Sequence, residues 1–555
     1  MEKEAEGRRG EYRIFGPPGT GKTHTLMKNI RRAAEKFGGE NILCASFTRA
    51  AAEELVSRIG AGDVDVPPRA VGTIHSLCYR ALGSPRLAES DIEGFNAAAP
   101  LWARLSKASA ASAGAMEDAP GEDAGAAQDG DSLLAMYNLL RNRLVPTEAM
   151  PTRIQAFARE WEGWKADADA KDFTDLLEIG AKTMIYAPNN AKVLFVDEAQ
   201  DLTPLQFQLV RSWGKSVRFY IVSGDDDQLL FSWSGASPDP LIDGECPPER
   251  RIVLNQSYRV PAAVHRLAAG WISRVSRREP KEYRPRDFEG AVTLSGATFS
   301  NVEPLYRRVM ETVEQGKTFM FLAATSYMLR RSIIPMLKEW GVPFHNPFRR
   351  TQGEWNPLRA SKVNRLLDFV RPSGPEYGGF KLWTPRQLKS WTDICISSGL
   401  LKRGGKKLIG RFCELEDWST DQLLDLYDAA FEPGALDSAT ELRPAWLFDC
   451  LAAEKRNSYE FPISIWERGG HDALFDRPRV LVGTIHSVKG GEADVVALFP
   501  DISPMAHAAL TGVGGVDPVE AKDAVIRQFY VGMTRAREEL IVCSAATRFN
   551  VEAVR

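Results

Sequence analysis

Residues 12–23 read YRIFGPPGTGKT. Tyr12 to Phe15 form a short apolar run, eight residues of glycine loop follow, and a stretch of helical character continues from Thr23 to Phe37. Strand, glycine loop, helix is the setting in which GxxxxGK[ST] has a physical meaning. Gly16, Gly19 and Gly21, with Pro17 and Thr20 between them, let backbone N–H groups turn toward one centre and cradle phosphates. The amino group of Lys22 reaches the β- and γ-phosphates, and the Thr23 hydroxyl is placed to ligate Mg²⁺ at a helix N-terminus that favours anions.

Working outward, residues 41–47 (NILCASF) read as the next strand and 48–59 (TRAAAEELVSRI) as a helix. Residues 192–196 (KVLFV) are a buried-strand pattern ending at Asp197-Glu198, and 217–223 (VRFYIVS) are another, ending at Gly224-Asp225. Such alternation implies an α/β fold with a parallel sheet covered on both faces, whose ligands lie at the carboxyl ends of the strands. The motifs fall there. A carboxylate at Asp197 can hold Mg²⁺, and its neighbour Glu198 can orient and deprotonate an attacking water. Phosphoryl transfer also needs positive charge on the γ-phosphate, for which Arg259 (in NQSYR) and Arg535 (in GMTRAR) are candidates.

A second α/β unit begins near residue 260, with strands expected at 318–324, 479–483, 493–499 and 539–544. Residues 346–475 are helical, aromatic and turn-rich, the character of an inserted domain. The hexapeptide VGTIHS occurs at 71–76 and again at 482–487. Two units thus offer one loop to the same kind of ligand.

A length of 555 residues suggests three to four domains at about 150 residues each. The 44% apolar and 26% charged residues are ordinary globular composition. No apolar stretch approaches the ~20 residues that span a bilayer, and the charged N-terminus has no signal-like apolar region. A cytoplasmic protein with no membrane partner is expected. Seven scattered cysteines without a CxxC pair speak against a zinc ribbon or a disulfide scaffold, and read as buried thiols. Seventy Lys and Arg against 73 Asp and Glu exclude a globally basic binder, though not a basic groove. Residues 250–286 hold nine Arg and one Lys against two Glu, and 402–411 (KRGGKKLIGR) form a second basic cluster. Residues 106–131, rich in Ala, Gly, Ser and acid, read as a mobile surface insertion or weak helix.

Taken in order, GPPGTGKT, SFTRAAAEEL, GTIHSLC, VDEAQDLTPLQ, SGDDDQLLFSWSGA, LNQSYR, VGTIHSVKGGEADVV and QFYVGMTRAR resemble the motif series of superfamily 1A helicases of the UvrD/Rep/PcrA type. DFTDLL at 172–177 resembles a further segment of that family. The resemblance implies two RecA-like parallel-sheet cores, each with a mostly helical inserted subdomain. The first core would comprise 1–82 and 165–258, with its insertion at 83–164. The second would comprise 259–345 and 476–555, with its insertion at 346–475. It implies ATP and Mg²⁺ in the cleft between the cores, and single-stranded DNA and single-strand/duplex junctions as partners.

Carried over by motif, Lys22 and Thr23 bind phosphate and Mg²⁺, while Asp197 and Glu198 are metal carboxylate and base. Gln228 senses the γ-phosphate or the water, Arg259 and Arg535 are arginine fingers, Tyr258 stacks on adenine and Glu492 contacts ribose. Phe47, Phe231 and Trp233 match base-stacking positions, with Thr48 and Arg49 beside Phe47, and Thr73, His75, Thr484 and His486 of the repeated VGTIHS read as paired DNA-phosphate contacts, one pair per core. The implied activity is ATP-driven 3′→5′ movement with duplex unwinding. The alternative is a DNA-stimulated NTPase subunit that does not unwind alone. Three departures stand out: no Gln precedes Gly16, the family's WRGA is WSGA at 233–236, and its KGLEF is KGGEAD at 489–494.

Overall fold

The structure is a computed structural model of the chain and describes residues 10–61, 64–106, 129–243, 246–349, 354–358, 361–513 and 516–554. Most of the expected insertion at 106–131, residues 107–128, lies outside the described residues. Its last residues open the helix Asp129–Asn142.

Two six-stranded parallel sheets form the framework. The first comprises β1 (Glu11–Phe15), β2 (Ile42–Ser46), β3 (Val71–Thr73), β4 (Val193–Asp197), β5 (Phe219–Gly224) and β6 (Arg251–Val253), in the order β3-β2-β4-β5-β1-β6. Every residue of β2 and β4 is buried, as expected of strands covered on both faces. β1 lies one strand in from the edge, registered Phe15 to Gly224 on β5 and Phe15 to Val253 on the edge strand β6. The carboxyl ends of β1, β4 and β5 therefore open on one edge, where the glycine loop, Asp197-Glu198 and Asp225 emerge. The short apolar run at 12–15 contains one charge, Arg13, which is 1% exposed. It donates to the Leu241 carbonyl at 2.6 Å and pairs with Glu11 at 2.6 Å.

Between β3 and β4 the described residues are mostly helical. Helices Ile92–Ala98, Asp129–Asn142 and Thr152–Asp167 bury Phe95, Leu133, Tyr137, Phe157 and Trp161 in a core of their own. Helix Phe173–Thr183 follows, its start fixed by a capping box between Asp172 and Asp175. Asp172 is also the centre of a buried ion network. It accepts from Arg141 (2.8 Å), Lys165 (2.7 Å) and the Trp161 indole (2.8 Å), while Arg141 also reaches Asp175 and Glu178. Glu162, Asp172 and Asp175 come close enough to hold a metal ion. Lys165 already pairs with all three, so the network is complete without one.

The second sheet comprises β7 (Ala291–Ser295), β8 (Phe319–Ala323), β9 (Phe344–His345), β12 (Val480–Thr484), β13 (Ala493–Leu498) and β14 (Ala536–Cys543), in the order β7-β14-β13-β8-β12-β9. Between β9 and β12 lie seven helices of six to seventeen residues and a small hairpin of β10 (Glu376–Tyr377) and β11 (Phe380–Lys381) among the described residues. The aromatic richness of this stretch goes into its interior: Phe369 packs against Trp383, Trp391, Trp446 and Trp466.

By compactness the chain divides into two units. One unit is 1–295 with 322–326 and 484–555, and the other is 296–321 with 327–483. All seven cysteines are unpaired, five of them buried. No helix among the described residues is long and apolar enough to cross a membrane.

Burial alone would raise the Asp172 carboxyl, but Arg141 and Lys165 outweigh it and hold it down at about 2. Arg141→Ala leaves those carboxylates short of a cation and is expected to cost about 3–5 kcal/mol, read as a lower urea midpoint. In the wild-type chain the contribution of Asp172 is present above the ordinary aspartate range, about 4. It is lost as pH falls through about 2, an acid-unfolding component that Asp172→Asn should remove.

Candidate active site

The loop after β1 enters helix Lys22–Phe37 through Gly21, which has φ +76° and makes no side-chain cap. The first N–H groups of that helix consequently point, without a capping side chain, at the edge where β4 and β5 end. The Gly16 N–H donates to the Gly224 carbonyl at 3.0 Å, fixing the loop to β5. Gly19 has φ +73°, and a Cβ there would lie 2.5 Å from Cβ of Arg259. Its carbonyl accepts the Tyr258 N–H at 2.8 Å, while the Pro18 carbonyl accepts the hydroxyls of Ser257 (2.9 Å) and Tyr283 (2.8 Å). The loop is thus gripped by residues 257–259 and 283, and Thr20 closes it internally onto the Pro17 carbonyl.

Lys22 points back over the loop and pairs with Glu198 at 2.8 Å. Glu198 has a left-handed backbone, φ +52° and ψ +40°, a conformation that costs a non-glycine residue about 1–3 kcal/mol. Its surroundings hold it there. Oε1 meets Lys22, while Oε2 accepts from Gln200 at 2.6 Å and lies 3.4 Å from Lys489. Burial would raise this carboxyl, but Lys22 and Lys489 hold it far below the usual carboxylate range. Asp197 shifts the other way, pushed up to about 6 by burial and by the adjacent Glu198 charge. Thr23 and Asp197 offer the hard oxygen donors that Mg²⁺ takes, and the uncapped helix start offers N–H groups to phosphate.

Gln228 ties this centre to the C-terminal motif. Its amide donates to Asp225 at 2.7 Å, and its carbonyl oxygen Oε1 accepts from Arg535 at 3.2 Å. Arg535 is 1% exposed and also donates to the Val531 and Gly491 carbonyls. Burial and the neighbouring Arg259 bring it down to about 9. Asp225 and its neighbours Asp226 and Asp227 converge on Lys281, which lies 2.9 Å from Asp225 and 3.0 Å from Asp227. Arg259 and Glu492 face each other at 3.1 Å, and Arg537 joins Glu492 at 3.1 Å. Tyr258 is 71% exposed beside the loop, an open ring available to a planar partner.

The aromatic positions form a second group. Phe47 and Phe231 are buried, with ring centroids 5.1 Å apart. Phe231 also meets Trp233 at 6.0 Å and His486 at 6.2 Å. Trp233 is half-buried, and its indole N–H is buried without a partner. His75 lies instead against Phe173 at 6.1 Å. Thr48 receives the Ala51 N–H at the start of its helix, and Arg49 is exposed. The repeated VGTIHS makes the same strand-exit turn twice. Thr73 and Thr484 accept the N–H of Ser76 and Ser487, and each serine hydroxyl donates back to the threonine carbonyl. His75 and His486 are both brought down to about 4, chiefly by burial.

Sequence reasoning passed over Gln200, Lys281, Tyr283 and Lys489. Gln200 and Lys489 lie inside quoted motifs, and Lys281 inside the basic run 250–286, so each was in view. Only tertiary contact gives them a role.

Residues 2–244 match the model of the UvrD/REP helicase N-terminal domain. The ATP-dependent DNA helicase UvrD2 of Mycobacterium tuberculosis (strain H37Rv) is 26% identical over 97% of this chain and 77% of its own length. The ATP-dependent DNA helicase PcrA of Staphylococcus aureus (strain NCTC 8325) is 25% identical over 65% of this chain and 51% of its own. That of Staphylococcus epidermidis (strain ATCC 12228) is 25% identical over 49% and 39%.

Gly19→Ala must both strain the backbone at φ +73° and displace Arg259. The expected outcome is a loss of nucleotide affinity of about tenfold or more, measured by titration with a fluorescent ATP analogue. Unchanged affinity would mean that the close approach of Gly19 to Arg259 is not part of the binding conformation.

Proposed function

Since the chain is of the UvrD/Rep/PcrA helicase type, we propose that it is an ATP-dependent DNA helicase that moves 3′→5′ along single-stranded DNA and opens duplex at junctions. The observation that carries this reading is the course of residues 225–233. At one end Gln228 meets Arg535 beside the phosphate loop, and three residues on Phe231 lies among Phe47, Trp233 and His486. A nucleotide site and an aromatic platform thus share one short segment.

In this reading the loop from Gly16 to Gly21 and the helix start hold the phosphates, and Lys22 leaves Glu198 to pair with them. Thr23 and Asp197 hold Mg²⁺, which when bound neutralises charge on the phosphate oxygens. Glu198 then orients and deprotonates the attacking water, and Gln228 positions it. Arg535, already turned toward Gln228, and Arg259 supply the positive charge that the transferring phosphoryl group requires. Arg259 must exchange Glu492 for phosphate, which frees Glu492 for the ribose beside Tyr258. Trp233 stacks on bases regardless of sequence, each stack contributing about 1–3 kcal/mol. Thr73, His75, Thr484 and His486 lie at matching strand exits and are assigned to the DNA backbone, with Thr48 and Arg49.

A second reading, a DNA-stimulated NTPase subunit that does not unwind alone, has one observation in its favour. Ser234 replaces the family's arginine after Trp233, and its hydroxyl donates only locally, to the Phe231 carbonyl at 2.8 Å. No long cation from this position reaches across to the nucleotide. Strand displacement on a tailed duplex separates the two, since the helicase reading requires displacement by the isolated chain.

Lys22→Ala and Glu198→Gln are each expected to lower ATP turnover by about 10²–10⁴-fold, measured by phosphate release. Near-normal turnover in Glu198→Gln would remove the base assignment. Trp233→Ala should weaken single-stranded DNA binding by about 1–3 kcal/mol while basal hydrolysis persists. An unchanged DNA affinity by fluorescence anisotropy would return Trp233 to a structural role.

A further inference from the structure

Lys489 is the residue nearest to both halves of the site that no motif role explains. Its ammonium pairs with Asp201, lies 3.4 Å from Glu198 Oε2, donates to the Gln228 carbonyl at 3.3 Å and stands 5.5 Å from the Phe231 ring centroid. Lys489 is thus the cation that touches the carboxylate assigned as base, the segment 225–233 and the aromatic platform together.

The backbone makes these contacts interdependent. The His486 carbonyl accepts the Lys489 N–H at 3.2 Å, and the Thr484 carbonyl accepts the Val488 N–H at 3.1 Å, so 484–489 is a closed run of turns. His486 docks that run on the Leu230 carbonyl at 3.2 Å, and Lys489 docks it two residues earlier, on Gln228. The Leu230 N–H in turn donates to Asp201 at 3.3 Å, which closes a circuit through Lys489 back to Glu198. A displacement of His486 or Phe231 therefore displaces Lys489.

As the chain stands, both oxygens of Glu198 are engaged, Oε1 by Lys22 and Oε2 by Gln200 and Lys489. A general base needs a lone pair within reach of the proton it takes. Phosphate draws Lys22 away from Oε1, while Lys489, held by Asp201 and the Gln228 carbonyl, stays beside Oε2 and keeps the carboxylate a weak base. Asp201, 1% exposed and already paired with Lys489, is a ready alternative anchor for that ammonium.

We propose that Lys489 is a positioning residue that restrains Glu198 until nucleic acid, bound at His486 and the Phe231 platform, moves the turn and hands the ammonium wholly to Asp201. The inference rests on the reading of the chain as a DNA-stimulated ATPase. It makes DNA stimulation a release of the base as well as an alignment of the arginines.

The test is steady-state ATP hydrolysis by the full chain, wild type and Lys489→Gln, with and without oligo-dT, with KM for ATP and DNA affinity measured in parallel. Loss of one charge-assisted restraint should raise basal kcat by about tenfold and reduce the DNA stimulation ratio by a similar factor, with KM nearly unchanged. Lys489→Arg keeps a cation on Asp201 and should restore low basal turnover and strong stimulation. It serves as the folded control should the glutamine variant be unstable, because an arginine variant with high basal turnover would itself overturn the proposal. A parallel fall of basal and stimulated rates in Lys489→Gln would also overturn it, making Lys489 an ordinary support. A wild-type chain without DNA stimulation would instead contradict the ATPase reading, and with it the restraint.

Discussion

A charge removed from water must find an opposite charge close by, because an uncompensated one costs several kcal/mol. The interior of this chain is arranged around that requirement in three places. Asp172 is met by Arg141 and Lys165, the acids 225–227 are met by Lys281 and Arg278, and Glu198 and Asp201 are met by Lys22 and Lys489. The first set fastens the helical insertion to helix Phe173–Thr183. The second joins the end of β5 to the segment after residue 277. The third lies at the carboxyl edge of the first sheet, beside the uncapped start of helix Lys22–Phe37.

That difference separates structure from function among similar clusters. The insertion network is closed, since Asp172 has a cation, an indole and its own helix cap. Lys22, by contrast, lies beside uncapped helix N–H groups and opposite Glu198, a carboxylate in strained backbone conformation, so in the proposed reading an incoming anion finds donors waiting and takes the lysine with it. On that proposal, competition for cations links nucleotide binding to the freedom of Glu198. Because the loop 225–233 runs from Gln228 to the aromatic group, the same competition is open to a ligand on the far side.

Where the strands are long and buried on both faces, they were legible. ILCAS and VLFVD carry their own signal, and the glycine loop is a local motif whose geometry needs no tertiary context. β6 and β7 were not legible, for a physical reason: they lie at sheet edges and are largely exposed, Ile252 at 51% and Leu294 at 83%, and their apolar runs, 252–254 and 291–292, are too short to stand out. Arg13 is the reverse case, a buried charge in an internal strand that burial alone would forbid and that the Leu241 carbonyl and Glu11 permit. The VGTIHS repeat was visible as a duplication, whereas its shared threonine–serine turn emerged only from the fold. Gln200, Lys281 and Lys489 have no local signature, since what they do depends on which acid the folded chain places within reach.

The central claim is that nucleotide and single-stranded DNA compete for and share one set of contacts, so each must alter the affinity of the other by the same factor. The most direct measurement is the dissociation constant of a labelled oligo-dT, by fluorescence anisotropy, for the chain alone and saturated with a non-hydrolysable ATP analogue, together with the reciprocal titration of analogue with and without DNA. The account predicts a matched shift of about 5–150-fold in both directions, the range of ordinary coupling free energies. Identical DNA affinity with and without the analogue, alongside tight binding of each ligand, would contradict it.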